Sequence, residues 1–103
     1  RVKVWHWHDV EKVLADKDAI ALDVRTGYEY KHGHVDGFIN IPVDELRERI
    51  NELDKKKKIY LMCRTGLRSY IAYQILSAEG FQVYNFSGGY RLYEAVVKKC
   101  KNM

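Results

Sequence analysis

Apolar positions along this 103-residue chain fall into short runs and helical stripes that take turns. Val2 to Trp5 alternates weakly and predicts a first strand. From Asp9 to Ala15, Val10, Val13 and Leu14 share one helical face. Ala19 to Val24 is a short apolar run carrying Asp23 near its end, the form of a strand buried on both faces. Gly37 to Ile41 is a further strand candidate, closed by Pro42. Val43, Leu46, Ile50 and Leu53 stand at helical spacing and predict a helix over 43–53. Asp44 and Glu45 at its start and lysines after its end complement the dipole. Ile59 to Met62 reads as another buried strand, with Cys63 directly after it. Leu67 to Glu79 follows as a helix whose inner stripe is Ile71, Ala72, Ile75 and Leu76. Gly80 is placed to end that helix in a left-handed cap. Gln82 to Phe86 predicts the last strand, Ser87-Gly88-Gly89 a turn, and Tyr90 to Lys99 a final helix.

Strands that alternate with helices predict an α/β fold, a parallel sheet covered on both faces. In such sheets ligands bind beyond the carboxyl ends of the strands. Cys63 lies at one such end, and the Asp23-Val24-Arg25 segment at another.

Composition narrows the picture. Residues 1–103 suit one domain, and 47% hydrophobic residues suffice for a single core. The chain starts at Arg1 without methionine, which raises the expectation of a piece of a longer protein. A net charge of +4 and a pI near 9.1 are mildly basic. Much of the excess sits in Lys55-Lys56-Lys57-Lys58 and in Lys98, Lys99 and Lys101, read as solvated faces. One basic block near Tyr60, without interleaved aromatic platforms, does not make a nucleic-acid site. No run approaches the roughly 20 apolar residues of a membrane span, and no signal peptide is visible. Two cysteines, Cys63 and Cys100, give neither a disulfide framework nor metal-ligand spacing. They point to a reducing, cytoplasmic setting with one reactive thiol.

The segment around Cys63 carries the chemistry. Successive backbone N–H groups in a tight strand-to-helix loop form an anion-binding concavity, to which the following helix adds its positive end. Gly66 admits a backbone conformation that a side chain would resist. Arg64 and Arg68 add two permanent positive charges. All three features favour thiolate over thiol, so Cys63 is expected to act as a nucleophile at neutral pH. Cys100, among lysines near the end of the final helix, reads as an incidental thiol, with a resolving role toward Cys63 as the alternative.

Leu22-Asp23-Val24-Arg25, Glu29-Tyr30 and the run from Gly33 to Pro42 resemble the front half of a rhodanese domain. Cys63-Arg64-Thr65-Gly66-Leu67-Arg68-Ser69 resembles its active-site loop. Gly80-Phe81, Val83 to Phe86 and Ser87-Gly88-Gly89-Tyr90 resemble its closing strand and turn. The resemblance covers nearly the whole chain with the motifs in order. It implies a central parallel sheet of about five strands flanked by helices. It also implies that Cys63 takes a sulfane sulfur from a donor and passes it to a thiol acceptor, with no metal or organic cofactor. Backbone N–H groups from Arg64, Thr65, Gly66, Leu67 and Arg68 would cradle the transferred sulfur, and Arg64 and Arg68 would help hold an anionic donor. Asp23, Arg25 and His34 are expected as supporting framework residues. The opening Trp5-His6-Trp7-His8-Asp9 and Gly88-Gly89-Tyr90-Arg91-Leu92-Tyr93 are similar to rhodanese modules attached to flavin-dependent CoA-disulfide reductases. By that likeness this would be the C-terminal module, and any FAD or NAD(P)H would belong to an upstream part.

Two rivals share the fold. Phosphatases and arsenate reductases place a cysteine before an anion-cradling loop that is one residue longer, because a tetrahedral oxyanion needs more room than one sulfur. Here four residues separate Cys63 from Arg68, and Met62 stands where histidine is common. A regulatory or protein-binding module with an inert loop is the other rival. Such modules usually lack the cysteine that this chain keeps.

Overall fold

The computed structural model describes residues 4–5, 9–63, 67–86, 89–91 and 93–95. The predicted parts that fall on Val2, Lys3, Arg64 to Gly66, Ser87-Gly88 and the end of the last helix, Cys100 included, lie outside them. Five parallel strands form one sheet in the order β1-β5-β4-β2-β3. They are β1 (Val4–Trp5), β2 (Ala19–Asp23), β3 (Ile39–Asn40), β4 (Lys58–Met62) and β5 (Gln82–Phe86). Helices α1 (Val10–Ala15), α2 (Gly27–His32) and α3 (Leu67–Ala78) connect them. Residues 89–91 and 93–95 are also helical.

Strand periodicity divides the core into two clusters. Leu22 and Val24 of the β2 segment, Ile59, Leu61 and Cys63 of the β4 segment, and Val83 of β5 face one side. There they meet Ala72 and Leu76 of α3, together with Leu46 and Leu53. Ala21, Met62 and Phe86 face the other side, against Val10 and Val13 of α1, Val35 and Phe38, with Tyr90 and Tyr93 packed beside them. Burial on both faces is why β2 and β4 read as apolar runs rather than as alternations.

Two expectations need correction, and one helix goes unpredicted. The stretch 43–53 is not an α-helix but two 3₁₀ turns, Val43–Glu45 and Ile50–Glu52, joined by a turn. Its bonds are mostly of the tighter kind, such as Glu45 N–H to Pro42 O at 2.9 Å and Leu53 N–H to Ile50 O at 3.1 Å. Spacings of three residues between Val43 and Leu46 and between Ile50 and Leu53 eclipse side chains in a 3₁₀ turn, so the same stripe buries Leu46 and Leu53 without an α-helix. Second, Ile71 lies outside the inner stripe of α3, 45% exposed, while Ser69 takes an inner place with no exposed surface. The unpredicted helix is α2, although its start is written in the sequence. Thr26 accepts from Glu29 N–H, and the Glu29 carboxylate accepts from Thr26 N–H, a complete capping box.

Gly80 ends α3 as expected, at φ +92°. Its N–H donates to Ser77 O, and that of Phe81 reaches back to Leu76 O, both at 3.1 Å. Only glycine adopts such a φ without strain.

Candidate active site

The carboxyl ends of β2 and β4 stand side by side, with Asp23 paired to Met62 in register. The main chain stays tied beyond the sheet, since Val24 N–H donates to Met62 O at 2.9 Å. Cys63 therefore follows β4 at a fixed place next to the Asp23-Val24-Arg25 segment, and it has no exposed surface. Tyr90 N–H donates to the Cys63 carbonyl at 2.6 Å, which ties the last helical segment to the same point.

Asp23 and Arg25 form a buried pair. The guanidinium Nε lies 3.0 and 3.1 Å from the two carboxylate oxygens and Nη2 lies 2.8 Å from Oδ2, while the Arg25 backbone N–H donates to Oδ1 at 3.0 Å. Nη2 also donates to Gly33 O at 2.7 Å, and the guanidinium carbon sits 3.9 Å from the centre of the Tyr90 ring. A Cβ on Gly33 would come within 2.9 Å of the Tyr90 hydroxyl, so glycine there lets the ring approach. Burial pushes the Tyr90 phenol up, with Glu94 adding to it, so the ring under Arg25 stays neutral. Asn40 Nδ2 donates to both Asp23 O and Arg25 O, at 3.0 and 2.9 Å, and pins this segment to β3.

Arg68, in the first turn of α3, is held from α2. Its two terminal nitrogens donate to the two Glu29 oxygens at 2.5 and 2.9 Å, a fork-on-fork pair. The Arg68 hydrogen bonds, outweighing partial burial, pull the Glu29 carboxyl from 4.5 down to about 2. Glu29 thus serves both the α2 cap and the arginine. Its contribution to stability is complete above about pH 4.5 and is lost as pH falls toward 2. For groups this exposed we expect about 1–2 kcal/mol. Urea unfolding of Glu29→Gln at descending pH should lack that acid-limb loss; an unchanged profile would refute the assignment.

His34 packs against Tyr30 of α2. Its ring stacks on Tyr30 at 3.8 Å, and Nδ1 donates to Tyr30 O at 2.8 Å. Tyr30 in turn donates its hydroxyl proton to Phe38 O. Of the predicted cradle, Arg64, Thr65 and Gly66 lie outside the described residues, and of Leu67 only the backbone is described, as the start of α3. Sequence reasoning missed three site residues: Glu29 as the partner of Arg68, and Ser69 and Asn85 beside the thiol. The Cys63 Sγ–H donates to Ser69 Oγ at 3.4 Å, and the Ser69 hydroxyl donates to Asn85 Oδ1. The Thr26–Glu29 capping-box spacing could have flagged Glu29. No local signal flags a meeting of α3 with β5.

A cleft of about 380 Å³ adjoins this end of the sheet, lined by Arg25, Glu29, Gly33 and Tyr90 and rimmed by Tyr28 and Arg91. It shares Glu29 with the arginine clamp and Tyr90 with the Cys63 carbonyl. Among the described residues no cluster of His, Cys, Asp and Glu has the geometry to hold a metal ion. No helix among them is long and apolar enough to cross a membrane.

A family model for the rhodanese-like domain matches residues 6–95. The chain belongs to the rhodanese-like family. It is similar to the "Putative sulfur carrier protein YrkF" of Bacillus subtilis (strain 168), with 38% identity over 72 residues, 70% of this chain and 39% of that one. Its fold matches reduced CoADR-RHD, the CoA-disulfide reductase of Bacillus anthracis with its rhodanese domain, at TM-score 0.89 and 38% identity. That match covers 95% of this chain and 17% of the other. An NAD-dependent persulfide reductase from A. fulgidus matches at TM-score 0.66 and 36% identity, covering 85% of this chain and 15% of that one. This rhodanese domain therefore spans well under half the length of each of these three proteins.

Proposed function

We propose that this rhodanese domain is a sulfurtransferase that carries sulfane sulfur on Cys63. One observation carries the reading: Cys63 stands at the carboxyl end of β4, and Arg68, five positions on in the first turn of α3, is clamped by Glu29. The Cys63 thiolate attacks the outer sulfur of a donor such as thiosulfate, polysulfide or a small persulfide. The donor S–S bond breaks, and sulfite or the donor thiolate departs with the bonding electrons. Cys63 then holds a terminal sulfur anion, favoured by loop N–H groups and by the positive charge of Arg64 and Arg68. An acceptor thiolate attacks that outer sulfur and releases Cys63. Each step exchanges one S–S bond for another, so the cycle balances without an added oxidant or reductant.

The reductase-associated relatives support a module attached to a flavoprotein. FAD and NAD(P)H would be held by that partner domain, and CoA persulfide or polysulfide would be the donor it shares. A cytoplasmic setting is part of this reading, since two cysteines in 103 residues do not make a disulfide framework. Intact-mass measurement after incubation with thiosulfate or polysulfide tests the carrier step. The expected product is one sulfur atom heavier, maps to Cys63 and returns to the starting mass with cyanide. No added sulfur with any of these donors would overturn the reading.

A further inference from the structure

Cys63, Ser69 and Asn85 meet because three elements present them to one face. Asn85 lies opposite Leu61 in the β4–β5 ladder, and Cys63 is two residues beyond Leu61, hence on the same side of the sheet. Ser69 occupies the same stripe of α3 as Ala72 and Leu76. All three polar residues are buried, Cys63 and Ser69 completely. Directed hydrogen bonds run one way, from the Cys63 thiol to Ser69 Oγ and from the Ser69 hydroxyl to Asn85 Oδ1.

A hydroxyl has one proton to give. While Asn85 holds it, Ser69 offers sulfur only an acceptor lone pair, which suits a thiol and not a thiolate. Once the thiol ionises, Ser69 can turn its proton toward sulfur, but the buried Asn85 carbonyl then loses its donor. Asn85 and the sulfur anion therefore compete for the same proton.

We propose that Asn85 is a positioning residue which, by claiming the Ser69 hydroxyl proton, restrains ionisation of Cys63 and so sets how readily the empty carrier reacts. This needs Cys63 to be the reacting group but no particular sulfur donor, so its test can be separated from sulfur transfer. Among the described residues, the charged groups around the thiol are Arg68 on α3, Glu29 that clamps it, and the Asp23–Arg25 pair at the end of β2. None is altered by changes at positions 69 and 85.

The experiment is the rate of iodoacetamide alkylation of Cys63 from about pH 5 to about pH 10, with the adduct located by mass spectrometry. Asn85→Val frees the hydroxyl for sulfur and is expected to raise the rate below the midpoint about fivefold, moving the midpoint to lower pH. Ser69→Ala removes the hydroxyl for which Asn85 and sulfur compete, so in that background Asn85→Val is expected to leave the midpoint unmoved. Asn85→Asp, which keeps the acceptor and adds negative charge, should move the midpoint up. A merely structural role of Asn85 would not make the Asn85→Val shift depend on the Ser69 hydroxyl. Asn85→Ala serves as a second apolar variant should valine disturb folding, as judged by circular dichroism. A midpoint unmoved or moved upward in the folded Asn85→Val and Asn85→Ala variants, or the same Asn85→Val shift without the Ser69 hydroxyl, overturns the proposal. If instead the midpoints shift as expected while thiosulfate and polysulfide load no sulfur, the proton competition stands and the sulfurtransferase reading fails.

Discussion

Cys63→Ser is expected to abolish sulfur transfer from thiosulfate or polysulfide to cyanide, lowering kcat/KM by about a thousandfold or more. A serine hydroxyl stays protonated across the working pH range and forms no persulfide. The change should leave folding nearly intact, because the new hydroxyl keeps a partner in Ser69 Oγ; a stability loss of about 1–2 kcal/mol is expected. Activity and urea unfolding measured together separate the two effects. Cys100→Ser should retain full turnover, which also tests the alternative of a resolving thiol. Equal sulfur transfer by Cys63→Ser and the unaltered chain would exclude the carrier role. A large loss in Cys100→Ser would instead bring the second thiol into the cycle.

Where the sequence proved legible, the signal was local. Ile59 to Met62 and Ala19 to Val24 announce buried strands, because a strand packed on both faces shows an apolar run rather than an alternation. Gly80 announces a helix end, because its φ of +92° is closed to other residues. The thiol at the end of β4 follows from strand order along the chain and the rule for parallel sheets. The 43–53 stretch misled because its 3-4-3 apolar spacing is met by an α-helix and by paired 3₁₀ turns alike. Only packing against β2 and α3 chooses between them. Ile71 misled for a related reason. The apolar stripe suggests one helix face, but the inner edge of α3 runs through Ser69, where it meets Cys63 and Asn85. Arg68 was visible as charge, whereas its clamp by Glu29 depends on α2 reaching across 39 residues of sequence. The hydroxyl between thiol and amide depends likewise on the β4–β5 register. Long-range pairings of this kind leave no periodic trace.

The largest stability effect comes instead from a pair two residues apart in sequence, Asp23 and Arg25. Asp23 is fully buried, and four of its contacts come from Arg25, three of them from the guanidinium. Arg25→Met keeps much of the side-chain volume but strips those three and the bond to Gly33 O, leaving a carboxylate in the core with the Arg25-position backbone N–H. An uncompensated buried charge of this kind is expected to cost about 3–5 kcal/mol, a large part of the marginal stability of a small domain. Asp23→Asn in the Arg25→Met background should recover part of that loss, because it removes the charge while preserving shape. Stability from urea unfolding checks both steps. If the double variant is no more stable than Arg25→Met alone, the cost lies in lost packing against Tyr90 rather than in the stranded charge. The distinction matters for the site, because Tyr90 carries the N–H that holds the Cys63 carbonyl. A charge effect would lower stability with the thiol's setting unchanged. A packing effect would loosen Tyr90, and Cys63 alkylation in the folded variant would then change with it.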